Sequence, residues 1–456
     1  MMMRVWAVLA CLMAAPVAAQ QVEIPLDDAR VLATQAVLAG EFDLARELAD
    51  KLLAVDPDDR DALLLRAAAE THGGDPELGW EAGARAWRLS DTPADRYEAA
   101  RVTALAAANG ERFTLSSAWL RIALNDAPDA ASRAQTIADA RAVTRRNPWS
   151  TRLSFSLVPT SNLNGGAVDD ELRINGESDG GGLSEDAQAL AGWRASLGLR
   201  TQYRFGATAQ GAHRVGLQYS ANRVRITDDV DVPDASLATD YAELSYRYDR
   251  ALTNGTITGR VAAGRFEYGS YNAFFDTLEE ASYDLARIGV DRQFSVTDQT
   301  VVGLTFQRER LSYSDPGSDN VYRNLLHGTV RYALPTEDQV TSSLSVTDSK
   351  SARVNQTSQN WALSVGYAWA EPVGPVSVSV SAGLNWADYP DYLLGGFVEG
   401  GRTDRGASLG VTLGFPDVEY GGFFPGVSIH ASRTVSNISR FDRDTVSVGL
   451  TLQSTF

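Results

Sequence analysis

Cysteine is almost absent from this sequence: Cys11 is the only one in 456 residues. A single thiol cannot build a disulfide framework or a cysteine-based zinc site. Long apolar runs are missing as well. No stretch approaches the roughly 18 consecutive apolar residues of a membrane-spanning helix. Lysine is reduced to Lys51 and Lys350, with arginine supplying the other basic side chains, which reflects genome composition rather than function. Basic charge is outweighed altogether, since 58 acidic residues against 41 basic ones give −17. That balance argues against a nucleic-acid partner, which needs a basic face. No HExxH, P-loop, GxSxG or dinucleotide fingerprint occurs, and no cofactor is expected. What remains is 44% apolar and 22% charged, too apolar for a disordered chain.

The two ends carry signals. Arg4 precedes an apolar stretch from Val5 to Val17, and Val17-Ala18-Ala19 places small residues before Gln20. This reads as a secretory signal peptide over 1–19. A lipoprotein reading of Val8-Leu9-Ala10-Cys11 leaves too short an apolar core before the cysteine. Cleavage after Ala19 removes Cys11 and with it all thiol chemistry. At the other end Val446, Val448, Leu450, Leu452 and Phe456 alternate with Ser447, Gly449, Thr451 and Gln453. This is a period-2 strand ending on an aromatic residue. It resembles the last strand of bacterial outer-membrane barrels, where Phe456 would be the signal read by the barrel-assembly machinery.

Between these ends the hydrophobic period changes once. Residues 20–146 are rich in Ala, Leu, Arg, Asp and Glu with apolar residues at helical spacing. Gly40 to Ala45, Leu52-Leu53 and Pro57 fit the second helix of a tetratricopeptide-like repeat. The pattern recurs loosely after Gly73-Gly74 and Gly110, and Ala82 and Ala86 share a helix face. About three repeats of ~34 residues are expected. The groove of such a stack usually binds a peptide or protein; the alternative is a solenoid that only props up something else.

At Asn147-Pro148-Trp149 the period becomes 2. Val376, Val378, Val380, Ala382, Leu384 and Trp386 lie on one face of a strand; Ser377, Ser379, Ser381, Gly383 and Asn385 lie on the other. The same alternation marks strands about Leu153–Leu157 and Trp193–Arg200. It recurs near 213–227, 239–250, 255–268, 281–294, 300–313, 320–333, 338–352, 358–371, 402–418, 424–438 and 442–456. Fourteen strands result, with 281–294 the least cleanly two-faced. Apolar against small-polar alternation over ~10 residues is the signature of a transmembrane barrel. Trp361 and Trp369 share a face eight residues apart, ~21 Å along the membrane normal at a ~40° tilt, close to the spacing of two interfacial girdles. The expected fold class is therefore α + β with two domains: a short tetratricopeptide-like helical solenoid over 20–146, then a 14-stranded antiparallel transmembrane β-barrel over 147–456. Connections after even strands are short. Those after odd strands include the long pieces 159–187, 268–280 and 389–401. Short turns belong in the periplasm, so the helical domain is expected there and the barrel in the outer membrane of a Gram-negative cell.

Two constellations need weighing as chemistry. His430 and Ser432 share a strand face, an arrangement found in barrel lipases, but Val427, Ile429 and Ala431 occupy the other face. The pair therefore faces the lumen rather than lipid, and no enzyme is expected. Asp169-Asp170-Glu171 fits no calcium loop and reads as solvated charge, so no metal is expected.

Two short motifs carry a family resemblance. Pro159-Thr160-Ser161-Asn162-Leu163-Asn164 follows the first strand, and Ser436-Asn437-Ile438-Ser439-Arg440-Phe441-Asp442 forms the last connection. With the architecture, they resemble the surface lipoprotein assembly modulators, or Slam proteins. That family joins a periplasmic tetratricopeptide-like domain to a 14-stranded barrel. The resemblance implies delivery of lipoproteins or other secreted proteins from the periplasm to the cell surface. Its partners are the cargo protein, the barrel-assembly machinery and the lipid bilayer, with no nucleic acid. Ser161, Asn162, Asn164, Ser436 and Asn437 are the candidates for ordering the loops or contacting cargo; turn formation is the plainer role for such asparagines.

Three other functions remain in view. A polysaccharide exporter predicts sixteen strands, many more repeats and an electrically biased lumen. A passive porin with an appended scaffold predicts a long constriction loop. A barrel enzyme predicts loss of lipid hydrolysis on mutating His430.

Overall fold

The structure is a computed structural model that describes residues 24–272, 276–314 and 319–454. The expected signal peptide and Phe456 lie outside the described residues. The chain divides into two compact units, Met1–Pro128 and Asp129–Phe456.

Among the described residues the first unit holds six helices: α1 (Leu26–Ala39), α2 (Phe42–Val55), α3 (Arg60–Gly73), α4 (Pro76–Arg88), α5 (Pro93–Asn109) and α6 (Phe113–Asn125). They form three hairpins whose first helices begin at Leu26, Arg60 and Pro93, 34 and 33 residues apart. The starts are chemically marked. Asp59 accepts from the N–H groups of Asp61 and Ala62, while Asp75 and Thr92 cap helices that open on Pro76 and Pro93. Small residues let the helices approach closely. Ala67, Ala82, Ala86 and Ala99 are buried with Leu63 and Leu64. A β-carbon on Gly83 would lie 2.4 Å from Thr103 Oγ1.

The second unit begins with α7 (Ala130–Arg146), so this helix clusters with the strands rather than with α1–α6. Then follow β1 (Trp149–Thr160), the hairpin β2 (Glu171–Ile174) and β3 (Glu177–Gly182), β4 (Gly192–Phe205), β5 (Gly211–Ile226), β6 (Thr239–Leu252), β7 (Gly255–Asn272), β8 (Thr277–Ser295), β9 (Thr300–Tyr313), β10 (Val321–Ala333), β11 (Gln339–Lys350), β12 (Ser358–Ala368) and β13 (Ser377–Tyr389). The short pair β14 (Leu393–Leu394) and β15 (Gly396–Phe397) precedes β16 (Arg402–Gly414), β17 (Phe423–Ser436) and β18 (Arg443–Ser454). Fourteen of these strands close an antiparallel barrel in which sequence neighbours pair and β18 meets β1.

Register assigns the faces. Val380, Val411, Ile429 and Val448 stand in one row across β13, β16, β17 and β18. The next residues along, Ser381, Gly410, His430 and Ser447, stand in another. The apolar row is outside: Leu409, on the same face as Val411, is 57% exposed, an exposure only a lipid environment makes favourable. Aromatic residues gather on the outer face near the short-turn end, where Trp149 meets Tyr203 at 4.8 Å and Tyr367 meets Trp369 at 4.7 Å. Trp361 pairs with Trp386 nearer the other end.

Two expectations about the strands change. The connection expected over 268–280 is mostly strand, because β7 continues to Asn272 and β8 starts at Thr277. Strand β8 looked poorly two-faced because its inner face is not wholly polar. Leu285 is buried there with Leu311 and Val321, beside Tyr241, Tyr283 and Tyr313.

Candidate functional site at the barrel seam

A barrel wall is held by ladders of backbone hydrogen bonds, so strand pairing shows where it is weakest. Neighbouring strands pair over between 10 positions, for β12 with β13, and 18 positions, for β7 with β8. The seam between β1 and β18 is different: among the described residues its register holds the single pair Thr160↔Ser447.

The motif residues sit at the long-loop end of this seam. Ser161 N–H donates to the Val446 carbonyl at 3.1 Å, and Val446 N–H donates to Ser161 Oγ at 3.0 Å. Asn162 is 5% exposed. Its Oδ1 accepts from Gly166 N–H at 2.8 Å, and its Nδ2 donates to the Gly166 carbonyl at 2.9 Å and to the Asp444 carbonyl at 3.4 Å. Asn164 donates to the carbonyls of Asp186 and Gln188 and accepts from Gly166 and Leu190. Gly166 is required at this knot, since a β-carbon there would lie 2.0 Å from the Gln188 carbonyl oxygen.

Asn437 ties three loops together. Its Nδ2 donates to Asn175 Oδ1 and to the Gly401 carbonyl, both at 2.9 Å, and its Oδ1 accepts from Thr403 N–H at 2.8 Å. Ser436 Oγ accepts from Ile438 N–H at 3.2 Å, while Asp442 accepts from Ser436 N–H at 2.6 Å. The five sequence candidates thus gather into one clasp, and their side chains are engaged with loop backbone.

Around the clasp lies a small core that sequence reasoning missed. Ile438, Tyr392 and Val398 are buried with Leu172, Ile174 and Phe441 packed against them. Arg402 lies inside this core at 8% exposure. Its guanidinium stacks 3.2 Å from the Phe441 ring centre and 4.5 Å from that of Tyr389. It donates to Asp404 at 3.0 and 2.6 Å. The charge is therefore paired and hydrogen-bonded, as burial demands. Arg402 and Asp404 share a strand face two residues apart. Its aromatic partners come from elsewhere in the chain, Tyr389 from the opposed position on β13 and Phe441 from the last connection, so the spacing alone does not reveal them.

The remaining candidates have plain settings. His430 and Ser432 face the lumen with no hydrogen bond between them. Asp169 and Glu171 pair with Arg173, the latter at 3.0 Å. Among the described residues no cluster has the makings of a metal site. On the helical unit, a cleft of about 480 Å³ is lined by Leu63, Arg66, Leu78, Trp80, Glu81 and Arg88. The buried indole N–H of Trp80 has no hydrogen-bond partner there.

At the short-turn end, Arg204 on β4 donates to the carbonyls of Arg145 and Arg146 at 2.8 and 3.2 Å. A cation at those carbonyls complements the C-terminal end of the α7 dipole. Arg133 of α7 pairs with Glu419 in the turn between β16 and β17.

No family model matches this chain, and no curated protein sequence matches it. Solved barrels are similar in fold. A loop-deletion mutant of OmpT, an outer membrane protein of Vibrio cholerae, is 8% identical over 67% of this chain and 100% of its own, with a TM-score of 0.34. The outer membrane channel DcaP of Acinetobacter baumannii is 11% identical over 67% and 97%, with a TM-score of 0.34. OccK7 of Pseudomonas aeruginosa is 10% identical over 66% and 98%, with a TM-score of 0.29. The apolar outer face and closed 14-strand wall make this a barrel of the Gram-negative outer membrane.

Proposed function

We propose that this chain is an outer-membrane translocator that delivers lipoproteins or other secreted proteins from the periplasm to the cell surface. The observation that carries this reading is the seam. A passive porin needs a wall zipped all round, because each unpaired backbone group in hydrocarbon costs several kcal/mol. A lipid-anchored cargo has a different need. Its acyl chains gain roughly 0.8 kcal/mol per buried CH₂, so they cross a polar lumen poorly and must leave sideways into the bilayer. A wall joined at one ladder pair opens there at far lower cost than at its zipped neighbours. The free edges of β1 and β18 also offer a template for an incoming strand.

The other parts fit the same reading. The helical unit stands in the periplasm and receives cargo in its cleft, where Leu63, Leu78 and Trp80 supply apolar surface beside Arg66, Glu81 and Arg88. The clasp of Ser161, Asn162, Asn164, Ser436 and Asn437 orders the loops that cargo meets. Phe456 addresses the chain to the barrel-assembly machinery. Folding or partner binding outside the cell drives transfer, and the barrel carries out no chemistry.

The test combines surface proteomics with a lock. Loss of this gene should strip one or a few proteins from the surface and leave them in the periplasm. Oxidised Thr160→Cys/Ser447→Cys should reproduce that loss, and reductant should relieve it. Cargo reaching the surface through a locked seam would sink the lateral route. An unchanged surface proteome would favour a passive channel with the arginine-lined lumen as its solute path.

A further inference from the structure

The lumen is electrically uneven, although the chain as a whole is strongly acidic. Arg204, Arg214, Arg247 and Arg260 occupy directly opposed positions on β4, β5, β6 and β7. Four like charges in adjacent rungs repel, and directly opposed like charges destabilise a sheet. Across the barrel the inner face is built from hydroxyls and glycine, as in the row Ser343, Ser364, Gly383, Ser408 and Ser432.

The counter-charges on the arginine side are few and already engaged. Arg204 is used on the carbonyls that end α7. Arg214 pairs with Asp249. Arg247 reaches the same carboxylate only at 3.7 Å, and its buried Nε has no hydrogen-bond partner. Arg260 approaches Asp291 at 3.9 Å. Both carboxylates are held by hydroxyls, Asp249 by Thr258 and Asp291 by Thr305, each at 2.7 Å. Arg214, Arg247, Arg260, Arg292 and Arg331 line one cavity of about 480 Å³ with these two acids, Arg292 being spent on the Thr256 carbonyl and Asn254. Five guanidiniums against two carboxylates leave this cavity positive.

We propose that this rung is an anion-binding site in the lumen, which takes a phosphate or carboxylate group. Guanidinium forks match both groups in a bidentate manner, and the cavity has room for the body that carries the anion. A bound anion also relieves the repulsion along the rung. The inference does not rest on translocation, since the same site serves a free solute or an acidic stretch of a chain in transit.

The test uses the purified full chain in detergent, titrated calorimetrically with inorganic phosphate and separately with an oligoglutamate peptide. Saturable binding of either, weakened at least tenfold in Arg247→Gln/Arg260→Gln, is the expected result. Tighter phosphate binding identifies a free solute as the natural ligand, and tighter peptide binding a passing acidic segment. Melting gives a second readout. Without anion the double variant should melt higher than the parent, and phosphate should raise the midpoint of the parent alone. A variant that melts lower or fails to fold would mean the arginines are a structural network. Absence of saturable binding by both probes, or equal binding by parent and variant, would equally overturn the proposal.

Discussion

The helical unit and the barrel are built inside out relative to one another. In α1–α6 the buried apolar positions are Leu and Ala, and arginine reaches the surface, as where Arg85 meets Asp58 at 2.7 Å. In the barrel the leucines and valines face outward, while Arg214, Arg247 and Arg260 line the inside. The two solvents explain this. Water hides apolar groups and lipid displays them, but both require every buried backbone polar group to be paired. Burial therefore means opposite things in the two units, and one substitution should have opposite consequences in them.

The largest effect is expected for Leu63→Arg, which places a charge in the helical core. It should cost more than about 4 kcal/mol and abolish cooperative unfolding of that unit by circular dichroism. Arg402→Ala comes next, because it strands Asp404, which is 4% exposed, inside the loop core. About 3–5 kcal/mol should be lost, and proteolysis within 161–191 should accelerate. Leu409→Arg, on the lipid face, should cost about 2–4 kcal/mol in bilayer refolding titrations. Ser364→Arg faces the lumen, where the cost should stay within about 0.5 kcal/mol while ion preference shifts. A Leu63→Arg variant no worse than Leu409→Arg would break the contrast.

Acid should separate the units further. Burial alone would raise the Asp59 carboxyl. The Arg30 guanidinium at 2.7 Å and the N–H groups of Ala62 and Asp61 outweigh it and hold the carboxyl below its usual range. A depressed carboxylate contributes stability above its unfolded value, near pH 4, and loses it as pH falls through the folded value. The helical unit should therefore weaken on acidification below about pH 4, and Asp59→Asn should flatten that dependence in a pH series of thermal melts.

Much of this was legible in the sequence. Alternation located all fourteen barrel strands because lipid and lumen impose opposite chemistry on successive residues. The asparagine motifs were legible as a pair of sites. Their meeting was not, because the connections that carry Asn162 and Asn437 are far apart in the chain and are joined by partners such as Asp444 and Asn175 that no motif marks. Strand β8 was obscured by Leu285, an apolar residue on an inner face. The arginine rung was within reach, since Arg194 and Arg200 already stood on a polar face. Yet alternation separates polar from apolar without saying which polar residues face each other across strands. The weakness of the seam is a property of register, and no residue type announces it.

The clasp has a consequence in time. Asn437 bonds Asn175 across 262 residues, and Val446 bonds Ser161 across 285. Contacts of such long range form late, after the intervening chain is in place. A chain that stops before β17 can make every earlier ladder of the wall and still lack both bonds. The knot therefore reports completeness: it ties only when the whole of the barrel has arrived, and until then β1 remains open to whatever strand comes by.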